Sequence, residues 1–354
     1  MKSPFELIAA RGEVAVSVIM PVHNAGDYLR EAVDSILGQS HRTLELVIIN
    51  DNSSDDSLRQ LSRFSSDRRL RIHNSPGNGI IDALNFGIEI SKFDVIARMD
   101  GDDISHPDRL KDQINFWRLN PNLNVIATKV SMFKSHEQIG EGYATYEKWI
   151  NQLTHHKDIE REFFIESPLA HPSVMLCKSD LCSLGGYQDN GWPEDYDLWC
   201  RALLAGMKFG KPNGSALLYW RDHENRASRT QSRYVKDEFL KCKAMYLAQY
   251  LRKYSRGKKV SIWGAGRTGL KLFDYLSNNS VDVIGFIDID PRLHGKTKRN
   301  RPVEVLDSTA NQDLELLKQS FCIIAVASRG ARDKIRRFLC ERSLSEGVDF
   351  VLAA

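Results

Sequence analysis

The amino-acid sequence predicts an α/β protein with an open, mainly parallel sheet built twice along the chain, and three observations carry the prediction. Short, nearly continuous apolar runs of strand length alternate with segments of helical period. Polar and acidic clusters follow directly on these runs, where open parallel sheets gather their ligands. The alternation then restarts at Lys259 with a glycine-rich turn.

In chain order, Val14–Met20 is the first apolar run, which Pro21 is expected to end before Asn24–Asp27 turns the chain. Tyr28, Leu29, Ala32, Val33, Ile36 and Leu37 recur at helical spacing. Leu44–Ile49 is the second strand, followed by the polar run Asn50–Asp56 and a helix. There Ser54 or Asp55 is a good N-cap, whereas Asp51 sits too early to cap and is better placed to bond a base or ribose. Leu70–Ile72 is a third strand, Pro76–Gly79 a turn needing positive φ, residues 80–90 a helix and Phe93–Ala97 a further strand. Pro21, Val22, His23 and Asn24 thus fall at one carboxyl end, and Asp51 at the next.

Asp100, Gly101, Asp102 and Asp103 follow the strand at 93–97, and Ile104–Pro107 beyond them reads as a loop entering a helix. Three carboxylates at such a junction repel one another unless a cation sits among them. Oxygen-only ligands suit Mg²⁺ or Mn²⁺ over zinc, and such an ion keeps open positions that a diphosphate fills. A solvated acidic turn is the alternative that the cluster alone leaves standing.

Composition narrows the class. The 354 residues point to two domains, and 42% hydrophobic with 27% charged residues describe an ordinary globular chain. A formal charge of +3 gives no argument for nucleic acid. The six cysteines form no CxxC pair and no compact Cys/His cluster, so reduced thiols without zinc are expected. No apolar run reaches signal-peptide or membrane-spanning length, and a cytoplasmic location is the expectation.

Further on, Leu184–Tyr187 precedes Trp192-Pro193-Glu194-Asp195-Tyr196-Asp197-Leu198-Trp199, in which Pro193 starts a helix. Glu194 and Asp195 have two readings here: carboxylates favoured by the dipole of a first helical turn, or a general base for an acceptor hydroxyl with a neighbour supporting it. Upstream, Ser167–Met175 contains His171, readable as a packed, hydrogen-bonded histidine or as a substrate contact. His155 and His156 diverge on either a helix or a strand and are expected on the surface.

Together the segments Val18–Asn24, Ile49–Asp55, Asn78-Gly79 with Ala83–Gly87, Met99–Asp103 and Pro107–Leu110 resemble the nucleotide-sugar glycosyltransferases of family 2, over roughly residues 14 to 230. The resemblance implies an inverting enzyme of the GT-A fold. It implies Asp195 as the base, with Glu194 orienting the acceptor. Pro21, Val22, His23, Asn24, Asp51, Asn78, Gly79, Asp100 and Gly101 would then bind the donor. Asp102, with Asp100, would hold Mn²⁺ or Mg²⁺. The family often carries Arg-x-His near metal or diphosphate, which implies Arg221 as a donor contact and His223 as a metal ligand. A UDP-sugar donor and a glycan or lipid-linked acceptor are further implications. Two positions depart from the family pattern, Asn50 for a common acid and His23 for a common tyrosine.

The expected domains are 1–230, a basic helical linker at 231–257 with a surface for anionic lipid as one reading, and a Rossmann-like domain at 258–354. In the last, Gly264, Gly266 and Gly269 follow a strand and Asp288 ends the next, the pattern of a nucleotide-binding turn with a ribose-binding acid. Binding of a nucleotide there and a purely structural module both stay open. The rival functions are a sugar-nucleotide oxidoreductase centred on Gly264–Gly269 and a non-catalytic sugar-nucleotide sensor.

Overall fold

The computed structural model describes residues 2–134, 137–306, 317–328 and 330–354. It divides into two compact units, Met1–Ile159 with Pro168–Gln231, and Glu160–Ser167 with Ser232–Ala354.

The first unit contains strands β1 (Val16–Val22), β2 (Leu44–Asn50), β3 (Leu70–Asn74), β4 (Val95–Arg98) and β5 (Ile104–Ser105). They are followed by β6 (Val125–Ile126), β7 (Val130–Phe133), β8 (Met175–Cys177), β9 (Phe209–Gly210) and β10 (Leu218–Arg221). A seven-stranded sheet runs β3-β2-β1-β4-β8-β6-β9, and a small sheet β5-β10-β7. β1 to β4 are mutually parallel, and β8 turns the sheet antiparallel. Every residue of β1, β2 and β4 is buried, as continuous apolar runs require.

Helix Tyr28–Leu37 buries Leu29, Ala32, Val33, Ile36 and Leu37, the stripe its spacing predicts. Helix Ile80–Ile90 lies against β1 and β2 through Gly87. A methyl group there would stand 2.6 Å from Ile19 Cγ2.

Three local expectations change. β1 runs on through Pro21 to Val22. The Ile19 carbonyl accepts from Met99 N, so Pro21, two residues on, faces the same side, where the pairing with β4 has already ended at Ile19–Arg98. Its missing N–H therefore breaks no ladder. Ile104–Ser105 forms a short strand antiparallel to β10 instead of a loop. The helix after Asp56 is a 3₁₀ helix, Leu58–Phe64.

The second unit is a six-stranded sheet of β11 (Lys259–Trp263), β12 (Val283–Asp288), β13 (Thr297–Lys298), β14 (Arg301–Val305), β15 (Ser320–Ile324) and β16 (Phe350–Leu352). Its order is β13-β14-β12-β11-β15-β16, parallel except at β13–β14. Helix Lys236–Tyr254 belongs to this unit and buries Cys242, Ala244, Tyr246, Leu247, Ala248, Tyr250 and Leu251. The solvated basic face expected of a linker is interrupted at Lys243. Its Nζ is buried and donates to the carbonyls of Ile165 and Ala353, each at 2.9 Å.

Residues 160–167 add an inserted loop to the same unit. There Phe163 is wholly buried and Phe164 meets Tyr250 edge-on at 5.3 Å. Glu162 pairs with Arg336. Among the described residues no helix is long and apolar enough to cross a membrane.

Candidate active site

The carboxyl ends of β1 and β2 bring the first group of expected residues together. Asp51, 8% exposed, accepts from Gly79 N at 2.9 Å and so ties β2 to the turn before helix Ile80–Ile90. Gly79 has φ +93°, the left-handed region that a glycine enters without strain. His23 Nδ1 lies 2.6 Å from the Asp51 carbonyl, and the Asn24 side chain accepts from Ser54 N at 2.8 Å. Asn52 donates to Asn78 at 2.7 Å. Asp55 accepts from Ser57 N and Gly26 N and so fixes the first turn, but it is not the N-cap expected of it: the helix starts at Leu58, its N-cap residue is Ser57, and no side chain caps it. Gly101 sits on Val22, where a Cβ would come within 3.3 Å, and this brings the acidic loop against β1.

In that loop, single oxygens of Asp100, Asp102 and Asp103 lie within 4.8 Å of one another, a span suited to one hard cation. Asp103 is 1% exposed. Its Oδ1 accepts from Arg221 N at 2.8 Å, and its Oδ2 is buried with no hydrogen-bond partner. Burial, then repulsion by Asp102 and Asp100, pushes its carboxyl well up. Burial also opposes ionisation of Asp102, but its hydrogen bond with His223 Nε2 at 2.8 Å, with the charges of His223, Arg226 and Arg98, holds it below its ordinary range. An orphaned buried acceptor beside a charged carboxylate and an imidazole is a donor set that fits Mn²⁺ or Mg²⁺.

Arg98, unremarked in the sequence reading, ends β4 and pairs with Asp100. Its side chain is 4% exposed, and its charge also reaches Tyr187 and Glu194. Arg221, expected at the donor phosphates, is engaged by protein groups. Its guanidinium lies between the rings of Tyr28 and Phe133, 4.5 and 4.6 Å from their centroids. Its donors go to the Asp102 carbonyl at 2.8 Å and to Glu31. Stacking on two rings suits a planar guanidinium, and here it makes the side chain a strut beneath the acidic loop.

Glu194 and Asp195 open helix Glu194–Leu204. Glu194 is 1% exposed, 3.8 Å from His171 Nδ1. Asp195 Oδ1 accepts from Tyr196 N at 2.7 Å. Burial first, and the neighbouring Glu194 charge second, push the Asp195 carboxyl up to about 7. The environment therefore overrides the first-turn dipole. His171 is packed, with Nε2 2.8 Å from Tyr187 Oη, and burial with the Arg98 charge drives its pKa well below the ordinary value. Tyr187 is in turn held by Asn85, which both donates to and accepts from its backbone at 2.9 Å. Arg98 is the cation common to this cluster and to the aspartates.

In the second unit the glycines of the Lys259 motif divide by task. A Cβ on Gly269 would strike the Gly264 carbonyl at 1.8 Å, and Gly264 has φ +116°. Both are required by the turn itself. Gly266 is open on its Cβ side. Asp288 accepts from Ala265 N at 2.8 Å and from Ile289 N and Asp290 N, so its carboxylate braces the glycine turn.

With this geometry in view, comparison with known proteins is direct. Residues 17–183 match the profile of Glycosyl transferase family 2. An uncharacterized glycosyltransferase of Haemophilus influenzae is 29% identical over 252 residues, 69% of this chain and 77% of that protein. The O-antigen biosynthesis glycosyltransferase WbnJ of Escherichia coli is 30% identical over 243 residues, 67% of this chain and 89% of that one. Among solved structures, S. aureus TarS 1–349 in complex with UDP-GlcNAc superposes with a TM-score of 0.54 at 17% identity, covering 75% of this chain and 72% of that TarS fragment. That similarity extends to the fold. The 30% identity across most of WbnJ, together with the family profile, establishes that the chain belongs to glycosyl transferase family 2.

Proposed function

We propose that the first unit transfers a sugar, with inversion, from a nucleotide-diphosphate donor to a hydroxyl of a glycan or lipid-linked saccharide. Asp195 serves as general base. The observation that carries this reading is a carboxyl raised to about 7 in the same unit as an acidic cluster that keeps one buried, unpartnered oxygen, Asp103 Oδ2. A base poised near working pH combines a useful ionised fraction with proton affinity.

In the proposed reaction Asp195 takes the proton of the acceptor hydroxyl as the acceptor oxygen bonds to the anomeric carbon. The bond from that carbon to the phosphate oxygen breaks, and its electron pair leaves with the nucleoside diphosphate. Charge development at the anomeric carbon resembles that in glycoside hydrolysis. Attack from the face opposite the leaving group inverts the centre. Glu194 and His171 orient the acceptor side, while Asp51, His23, Asn24, Asn78 and Gly79 receive the nucleoside at the ends of β1 and β2. Asp102 and Asp103, with Asp100 and His223, are the residues to hold Mn²⁺ or Mg²⁺. The ion, when bound, offsets the charge on the leaving diphosphate.

A UDP-sugar is the donor that the family resemblance favours, and the E. coli relative's role in O-antigen biosynthesis favours a surface-polysaccharide acceptor. We place the work at the cytoplasmic side of the cell envelope. For the second unit we propose a nucleotide at the open face of Gly266, within a turn that Gly264, Gly269 and Asp288 keep in shape.

The deciding experiment is a thermal-shift screen of UDP-, GDP-, CDP- and dTDP-sugars on the full chain, with and without Mn²⁺. A ligand that binds the native state raises Tm by linkage. A Mn²⁺-dependent shift with one sugar nucleotide, abolished in Asp102→Ala, is expected. No shift with any donor would remove the reading. Asp195→Asn should keep that shift yet lose roughly 10²- to 10⁴-fold in transfer rate.

A further inference from the structure

With Arg221 locked beneath the acidic loop, the anionic donor needs another cation, and the segment after β10 supplies one. Arg226 lies three residues beyond His223 with its guanidinium over the Trp220 ring, 4.8 Å from the centroid. Its side chain is 10% exposed. The carboxylate within reach is Asp222, whose Oδ2 accepts from Arg229 Nη2 at 2.9 Å while its Oδ1, 2.8 Å from the same nitrogen, is buried with no hydrogen-bond partner among the described residues. Arg226 Nη1 is left 3.9 Å from Asp222 Oδ1, too far for a hydrogen bond, and it is buried with no hydrogen-bond partner among the described residues. An unsatisfied buried guanidinium N–H is rare, because leaving one unmade carries most of a charged group's desolvation penalty.

The direction in which this charge acts is also settled. Arg226 is a stabilising charge for Asp100, Asp102 and Asp103 alike. Around the acidic loop there are therefore orphaned acceptors, Asp103 Oδ2 and Asp222 Oδ1, and an orphaned donor, Arg226 Nη1, whose charge acts on Asp103. A cation would satisfy Asp103 Oδ2, and an anion alongside it Arg226 Nη1. A diphosphate chelating a divalent cation presents both at once.

We propose that Arg226 is the residue of this chain that binds the donor's diphosphate, and that Arg221 does not touch the donor. The inference rests on the nucleotide-diphosphate reading given above and assigns the anion contact within it. A guanidinium suits the task because its planar fork meets phosphate oxygens in a fixed geometry, and stacking on Trp220 holds that fork in place before the ligand arrives. Asp222 is hydrogen-bonded to Arg229 through Oδ2, and its Oδ1 stays 3.9 Å from Arg226, which leaves the Arg226 Nη1 hydrogen open to a ligand.

The test is calorimetric titration of the full-length protein with UDP, GDP, CDP and ADP, each with Mn²⁺, and with the matching nucleosides. Arg226→Met should weaken the best nucleoside diphosphate roughly ten- to hundred-fold, the range of one charge-assisted hydrogen bond, with nucleoside binding unchanged. Arg226→Lys should fall between the two. Arg221→Met should lower Tm and reduce nucleoside and diphosphate affinity in parallel. Unchanged diphosphate affinity in a folded Arg226→Met, or an equal loss for nucleoside and diphosphate, would overturn the assignment of Arg226 alone. If Arg226→Met fails to fold, Arg226→Gln and Arg226→Lys carry the same comparison. If the wild-type protein binds no nucleoside diphosphate with Mn²⁺, this inference and the donor reading fall together.

Discussion

Asp195 carries a pH-dependent stability contribution that the proposed base role would draw on. Its carboxyl titrates near 7 in the folded chain against a reference of 3.8, so from about pH 4 to 7 the folded state holds that proton more tightly than the unfolded chain does. Stability from this group is greatest at the acid end and falls as pH rises through the window. Asp195→Asn keeps an acceptor for Tyr196 N but carries no charge. It should therefore raise Tm by a few degrees at pH 8 and leave it near wild type at pH 4.5, as read by calorimetry. If Asp195 is the base, as proposed, transfer needs the ionised form and the rate is expected to climb with pH through about 7. A flat rate between pH 6 and 8 would remove Asp195 as the base.

Arg98 is the second residue with consequences beyond its own contact. It neutralises Asp100 while lying within the field of Glu194 and Asp195. Arg98→Met leaves a carboxylate without its cation and should destabilise the fold by about 3 kcal/mol in urea titration. Nothing in the sequence flagged it. An arginine at the end of an apolar strand looks like a solvated terminus until its burial is known. Arg226 was silent for the opposite reason, since a basic residue in a polar loop looks ordinary. Arg221 was conspicuous by its position two residues before His223, and only the structure shows its packing against Tyr28 and Phe133.

Among the elements, those that bury both faces were plain in the sequence. β1, β2 and β4 are buried throughout and mostly apolar, and the helices at Tyr28–Leu37 and Ile80–Ile90 carry one-sided stripes. β5, β6 and β9 are two residues each, too short for any periodic signal. Their existence depends on partners distant in the chain, such as β10 for β5. Gly87 illustrates the same dependence inside a helix. Its place is set by Ile19 and Ile49, whose side chains would stand 2.6 and 3.3 Å from an added Cβ. Gly87→Val should overpack this contact and lose roughly 1–3 kcal/mol in denaturant titration, with the slope m unchanged. If Gly87→Val were as stable as wild type, the close approach of this helix to β1 would be refuted.

For the whole molecule, the instructive segment is Glu160–Ser167, which lies in the sequence of one unit and folds with the other. A chain cut at residue 231 keeps Phe163 and Phe164 but loses Tyr250, Lys243 and Arg336, their partners and those of the adjoining residues. Such a truncation is expected to bind an apolar dye and aggregate in light scattering, while the full chain does neither. Domain limits read from sequence had assumed that contiguous residues fold together, and a loop inserted into a later unit defeats that assumption.

The same segment gives synthesis a schedule. On the ribosome, residues 160–167 emerge well before the rest of their unit, and at ordinary elongation rates the remaining chain takes roughly 10–40 s to follow. Throughout that interval two phenylalanines bound for a core face solvent. A nascent chain stalled after residue 231 should be nicked by protease between 160 and 167, and a released full-length chain should resist it there. The waiting loop makes the last-made part of the protein the guardian of its middle.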